Sequence, residues 1–430
     1  MSLPNTLMYQ PKKNAINSSM LQQVHIPLSG STVNPLDTIT IPLSTGKFGQ
    51  YLDPTQVYLS FQVSNPDTTN PFSIDHSAYS FFDRVQAQSS GGILSDLQYF
   101  GAWSAMILDG ASQSAKSSGF SVCAGAGGTS SSSTNIVRAG TTVAKNGVLN
   151  VTIPLIGTIF DSTGGDKMIP VGAMNDASLV FYMASNKNAV QAGTAPTTSW
   201  VLKNFRVVAT YVQIDENAQR MIDQETGGVY RWSTTLWRGF NYTTPTTSAG
   251  DSVIVPFKCS SAKTLFSIWR LTAGNESYAS NFQSARQNPF TSLASSNTSS
   301  FFVQVGAQCF PPIPIRNASE HFLEYQKAWH AMSVPQAFDT NFAPGEYDMS
   351  TGVTNGSFVT GVNLETFTGK SGVSHSGLNV TGGTTMIINS TYETTIGSGT
   401  STVAGPCFIT SYLNYDALME CSAGQSIVSY

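Results

Sequence analysis

The chain has 430 residues, of which 11% are charged, 40% hydrophobic and 11% aromatic, with 21 basic against 25 acidic side chains and a formal charge of −4. Against a usual charged share of about 25%, Ser, Thr, Asn and Gly take the place of charge. The apolar content excludes a disordered chain, the lack of a basic run excludes binding through many phosphates, and the length suits two large β-sandwiches better than three average domains. No apolar stretch reaches the ~18 residues of a membrane-spanning helix, and residues 1–26 lack the layout of a secretion signal, so a soluble protein made without a leader is expected.

Along the chain, residues 1–23 carry Pro11, Lys12 and Lys13 with no clear strand pattern and read as an assembly arm, set apart as residues 1–25. Short segments rich in β-branched and aromatic residues follow, each bounded by Gly, Pro, Asn, Asp or Ser. They predict strands over 38–43, 57–63, 148–155, 178–183, 205–214, 253–257, 301–305, 385–392 and 408–413, an all-β chain. Asn146-Gly147 and Asn355-Gly356 lie between apolar segments and supply the positive φ of two-residue hairpin turns. Helical spacing of Leu97, Gly101, Ala105 and Leu108 predicts a helix over 94–109, and that of Phe322, Tyr325, Trp329 and Met332 another over 319–332. Asn317 followed by Glu320 has capping-box spacing. A shorter helix over 217–224 reads as a linker, and the polar tracts 112–135 and 275–297 read as long surface loops serving contacts.

The chain also repeats itself. Ser80-Phe-Phe-Asp-Arg-Val-Gln-Ala-Gln88 matches Ser300-Phe-Phe-Val-Gln-Val-Gly-Ala-Gln308 at six of nine positions, and Leu97-Gln-Tyr-Phe-Gly-Ala-Trp-Ser-Ala-Met106 matches Leu323-Glu-Tyr-Gln-Lys-Ala-Trp-His-Ala-Met332 at six of ten. Tyr211-Val-Gln-Ile-Asp215 answers Tyr412-Leu-Asn-Tyr-Asp416, and the two Asn-Gly turns correspond in the same order. Colinear matches with drifting offsets imply a duplicated domain, with the boundary near residues 215–228. Two tandem jelly-roll sandwiches, each with one flanking helix, are expected over residues 26–220 and 221–430.

Chemistry is sparse. Gly369-Lys370-Ser371 lacks the first glycine of a phosphate loop, since Leu364 stands there, and Asp75-His76-Ser77 is a local run rather than a spatial triad. His321 and His330 are nine apart, wrong for a helical metal pair, and read as exposed or capping residues. Asp215, Glu216, Asp223 and Glu225 bracket the boundary; acid–base hydrolysis would need two of them facing each other across a cleft, and solvated linker charges are the simpler reading. Trp103 and Trp329 read as core residues rather than sugar platforms. The five cysteines, Cys123, Cys259, Cys309, Cys407 and Cys421, have no close spacing and read as free thiols. No catalytic residue, metal site or cofactor is expected.

The chain resembles the double jelly-roll major capsid proteins of tailless icosahedral double-stranded DNA viruses, the adenovirus and tectivirus lineage, with Polinton-like viruses, adintoviruses and virophages nearest. The resemblance is carried by Tyr51-Leu-Asp-Pro-Thr-Gln-Val-Tyr-Leu-Ser-Phe61, the 82–108 region, Ile153-Pro-Leu155, Lys167-Met-Ile-Pro-Val171, Met174-Asn-Asp-Ala-Ser-Leu179, Val212-Gln-Ile-Asp-Glu216 and Tyr415-Asp-Ala-Leu418. It implies a structural subunit of the virion capsid, assembled inside the host cell as trimers whose six jelly rolls form a pseudo-hexagonal tile. Its implied partners are further copies of itself, penton and minor or cement proteins, and an underlying viral membrane in some lineages, without sequence-specific nucleic-acid binding. The alternatives are a carbohydrate-binding tandem sandwich (an adhesin or lectin), which would display aromatics in loops, and a β-sandwich hydrolase dependent on Asp215 or Glu216.

Overall fold

A computed structural model of the chain describes residues 18–43, 49–110, 121–126, 130–131, 136–137, 139–160, 167–244, 249–271, 284–290, 299–329, 347, 356–366, 376–382, 384–392, 407–422 and 425–430. The first half runs β1 (Ser18–His25), β2 (Thr38–Pro42), β3 (Gln50–Ser64), β4 (Phe72–Asp75), β5 (Phe82–Ser89), β6 (Gly92–Gln98), α1 (Phe100–Gly110), α2 (Ser121–Ala124), β7 (Ser130–Ser131), β8 (Ile136–Val137), β9 (Ala139–Val143), β10 (Val148–Pro154), β11 (Ser178–Met183), α3 (Asn186–Ala189), β12 (Val190–Gln191) and β13 (Val201–Ile214). Helix α4 (Glu216–Thr226) leads into the second half: β14 (Val229–Thr243), β15 (Gly250–Ile254), β16 (Ala262–Leu271), β17 (Ser300–Val305), β18 (Gln308–Ile315), α5 (Ala318–Ala328), β19 (Thr360–Asn363), β20 (Met386–Thr391), β21 (Cys407–Ser422) and β22 (Gln425–Ser429).

Strand register follows from which side chains must leave water. On β10, Val151 and Ile153 point inward while Asn150 and Thr152 face out, and they pair with Phe61 and Leu59 of β3. On β2, Ile39 and Ile41 pair with Phe181 and Leu179 of β11. A one-residue slip would turn each of these sets to solvent. The two sheets so formed, β1-β13-β3-β10 and β2-β11-β5-β6, face each other across Phe61, which stacks on Phe205 at 5.5 Å and meets Phe82 edge-on at 6.0 Å. Each such ring contributes about 1.5–3 kcal/mol by leaving water.

The second half repeats the topology. Its sheets are β14-β21-β16-β19 and β15-β20-β17-β18, with β22 added beside β21. Read by place in the sheets, β1 corresponds to β14, β2 to β15, β3 to β16, β5 to β17, β6 to β18, β10 to β19, β11 to β20 and β13 to β21, while α1 and α5 each follow the same edge strand. Trp269 of β16 takes the part of Phe61, meeting Phe301 of β17 at 6.0 Å. The chain is thus a double jelly roll: β5, which begins at the last residue of the first Ser-Phe-Phe, and β17, which carries the second, occupy equivalent places.

Several expectations need correction. Residues 94–98 belong to β6, and α1 starts only at Phe100, after a left-handed Tyr99 at φ 55°. The apolar run misled because β6 is covered on both faces and loses its alternation: Leu94, Ser95, Asp96 and Leu97 are all buried. Residues 18–25, counted in the arm, form β1 and pair with β13 from Ser18↔Ile214 to His25↔Val207. Asn146-Gly147 turns the chain, with Asn146 at φ 51°, yet β9 pairs with β4 and β10 with β3, so it is a crossing between sheets and not a hairpin. Asn355 lies outside the described residues, and Gly356 bridges to Arg286. The α5 cap is as expected, with Asn317 Oδ1 accepting from Glu320 N at 2.9 Å, although the Glu320 carboxylate takes the Arg316 N–H instead of that of Asn317. Within the expected surface loop 275–297, residues 284–290 are buried, because they carry Arg286 and Phe290 inward.

Candidate assembly surface

For a chain of two sandwiches the informative surface is where one sandwich meets another. Within the chain this seam is built by β6 and α1 of the first half against β14, β21 and β22 of the second. β6 and β14 are edge strands of different sheets and lie against each other without a hydrogen-bonded ladder. Close approach is enforced by glycines. A Cβ on Gly239 of β14 would sit 2.5 Å from the Gln98 carbonyl, and one on Gly91 would sit 2.3 Å from the Ser426 carbonyl. Trp237 of β14 then meets Trp103 of α1 at 5.7 Å and Trp329 at 6.1 Å, with Phe266 stacked on Trp329 at 4.8 Å. Tyr412 donates its hydroxyl to the Tyr99 carbonyl at 2.9 Å, and the Arg270 guanidinium lies 5.6 Å over the Tyr99 ring.

Behind this aromatic layer is a buried polar cluster that also spans the halves. One oxygen of Asp109, at the end of α1, lies 3.0 Å from His76 Nε2, and the other accepts from Arg286 of the second half. Ser284 donates to Asp75 Oδ1 at 2.5 Å. Asp75, His76, Asp109 and Arg286 are all buried, so each charge there depends on its neighbours for the solvation it has lost. On the same seam Arg84 holds Asp96 of β6 through two bonds of 2.7 and 2.8 Å.

The residues singled out from sequence fall into place unevenly. Asp75 and His76 serve the junction, with His76 directed at Asp109 rather than at a local triad. His321 is buried, not exposed or capping. Its Nδ1 lies 2.8 Å from Thr360 Oγ1 and its ring 4.6 Å from Phe290, and burial pushes its pKa down to about 3. The apolar helix face around position 321 forces this burial. Trp103 and Trp329 pack in the seam. Glu216 pairs with Arg220 one turn along α4 at 2.6 Å, and Asp215 stands at the N-cap position of that helix without a side-chain capping bond. Asp223 alone of the four carboxylates enters a cleft of about 460 Å³, where Gln219 links it to Tyr51 and Tyr230. Among the described residues no second carboxylate lines that cleft.

Cys259 and Cys421 are buried free thiols, Cys123 and Cys309 are half-buried, and burial pushes the Cys259 thiol up to about 12. Gly369, Lys370, Ser371, His330, Pro11, Lys12 and Lys13 lie outside the described residues. Among the described residues there is no grouping of three or more His, Cys, Asp or Glu side chains suited to a metal ion, and no helix is long and apolar enough to cross a membrane. Sequence reasoning missed Asp109 and Arg286 because one ends an apolar helix and the other sits in a polar tract, 177 residues apart.

No protein-family model matches the chain, and no curated protein does. Solved structures do. PBCV-1 VP54, fitted into a reconstruction of the virophage Sputnik, is 11% identical, with 98% of this chain and 99% of that one covered at a TM-score of 0.61. The Faustovirus major capsid protein is 10% identical, over 97% and 92% of the two chains at 0.59. The mavirus major capsid protein is 10% identical, over 100% and 95% at 0.51. At such identities the likeness is one of fold, and it runs the length of the chain: the protein has the double jelly-roll architecture found in these viral capsid proteins.

Proposed function

We propose that the protein is a major capsid protein, the structural subunit of an icosahedral double-stranded DNA virus shell, and that three copies form a pseudo-hexagonal tile. The observation that carries this reading is the repeated jelly-roll topology over nearly the whole chain, matched end to end by major capsid proteins. Two similar sandwiches per chain give three chains six similar sides, which closed cyclic symmetry can arrange as a hexagon. A polar surface poor in charge supports broad lateral contact without strong self-repulsion. In this reading residues 26–220 and 221–430 are the two domains, β1 adds to the first, and Pro11, Lys12 and Lys13 belong to an arm beneath the tile. The role is structural rather than catalytic and its place is the virion capsid, assembled inside the host cell. Penton and minor capsid proteins, and in some shells a membrane, complete the partners, and the genome is not gripped by this chain.

A carbohydrate-binding role would call for aromatics displayed in loops. The exposed large aromatics among the described residues are Tyr242, at the end of β14, and Tyr430, packed against Phe257, which does not favour it. Negative-stain microscopy with light scattering tests the capsid reading. Hexagonal particles of three times 45.8 kDa, or empty shells, are expected, and a strictly monomeric species at high concentration would rule the reading out.

A further inference from the structure

By the internal repeat, each strand of the seam has a counterpart in the other half. Inside the chain, β6 of the first half is covered by β14 of the second. The strand equivalent to β14 is β1, and the strand equivalent to β6 is β18; among the described residues neither is covered by the other half. The contrast in exposure is clear at matched places. Opposite the matched Tyr412 and Tyr211, Gly239 of β14 is buried whereas Leu21 of β1 is 44% exposed, with Met20 and Val24 beside it 71% and 57% exposed. Leu97 and Ile315 anchor β6 and β18 alike, pairing with Val85 and Phe301; two residues before them, Ser95 is 3% exposed and Ile313 is 78% exposed. The helices agree. At the sixth position of each, Ala105 in α1 is buried and Leu323 in α5 is exposed.

Both uncovered strands present apolar side chains to water, and β1 carries none of the lysines or prolines that usually guard a sheet edge. β18 carries Pro311, Pro312 and Pro314, which lack N–H donors, so it cannot extend a ladder and can meet a partner only through side chains. β6 and β14 likewise meet without a ladder.

We propose that β18 and α5 of one copy pack against β1 of a second copy of the same chain, repeating between chains the β6–β14 contact made within each chain. The two surfaces differ, so the contact is head to tail, and it terminates only by closing into a ring. This rests on the trimeric reading above and names the faces that make it.

Ile313→Asp and Val24→Asp, made separately, test it by analytical ultracentrifugation over a concentration series, with circular dichroism and melting temperature as controls. Both positions are solvent-exposed in the isolated chain, so the fold and melting of the monomer are expected to be unchanged while the trimer is lost. Should a folded variant stay trimeric, the assigned faces are wrong and the capsomer reading survives. Should the unmodified protein itself be monomeric throughout, the capsomer reading fails and takes this assignment with it. If either variant fails to fold, Met20→Asp and Leu323→Asp replace them on the same two faces, with the same outcomes.

Discussion

Asp109 holds the polar cluster of the seam from both sides, with His76 at 3.0 Å on one oxygen and Arg286 on the other. Replacing it with alanine removes the carboxylate facing a guanidinium that is fully buried. Breaking a buried ion pair from one side costs about 3–5 kcal/mol, whereas exchanging both members for apolar residues of similar volume is often neutral. Asp109→Ala is therefore expected to lose about 3–5 kcal/mol, and Asp109→Leu combined with Arg286→Met to recover most of that loss. Urea unfolding followed by tryptophan fluorescence reads the seam directly, because Trp103, Trp237 and Trp329 stand together there. The unmodified chain should unfold in one step. In Asp109→Ala an early step should separate, as the junction gives way before the sandwiches do, with a midpoint lower by about 1 M or more for a slope of about 3 kcal/mol/M. A loss below about 1 kcal/mol, or a double variant worse than the single one, would refute the assignment of this cluster as the clasp between the halves.

His321 gives a pH dependence with a definite sign. Its folded pKa is about 3 and the free imidazole titrates near 6.5, so the unfolded chain takes up the proton first as pH falls. Its contribution to stability is whole above pH 6.5 and is lost progressively towards pH 3, amounting to about 2 kcal/mol by pH 5. Urea titrations at pH 7.5 and pH 5 should show that loss, and His321→Gln should remove it; an identical pH slope in the variant would contradict the burial argument. Gly239→Ala should open the seam, since the new methyl would meet the Gln98 carbonyl, and cost about 1–3 kcal/mol; a variant melting like the parent would mean that the strands have room to part. If the proposed trimer and shell form, deleting residues 1–17, which include Pro11, Lys12 and Lys13, should leave the trimer intact and lower the yield of closed shells in electron micrographs, and undiminished shell yield would remove the arm from the proposed assembly scheme.

Much of the architecture was legible in the residues because one-sided burial writes itself as alternation. β2, β10, β11, β17 and β20 lie within a residue or so of where β-branched and aromatic clusters predict them. The Ser-Phe-Phe repeat marks equivalent strands, since β5 and β17 hold the same place in the corresponding sheets of the two halves and each sends at least one of its phenylalanines inward. Reading failed where a segment is buried on two sides. β6 loses its alternation under the second half and mimics a helix, and residues 284–290 look like a polar loop although Arg286 is buried against Asp109. The matched tryptophans are instructive too. Trp103 falls in the first turn of α1 and Trp329 at the C-cap of α5, so they are not equivalent along their helices; they converge on Trp237 because the seam needs large rings from both. Contacts between residues far apart in the chain, such as Asp109 with Arg286, leave no local periodicity to find.

Helix α4 joins the end of β13 to the start of β14 and stops at Gly227, whose φ of 64° lets the backbone turn out of the helix at once. So short a tether holds the partner sandwiches at an effective concentration in the millimolar range, whatever the dilution of the chain. Half of the contacts in a six-sided tile would then form during folding, independent of how many chains the cell has made. What remains is a three-body encounter instead of a six-body one, and its concentration threshold falls accordingly.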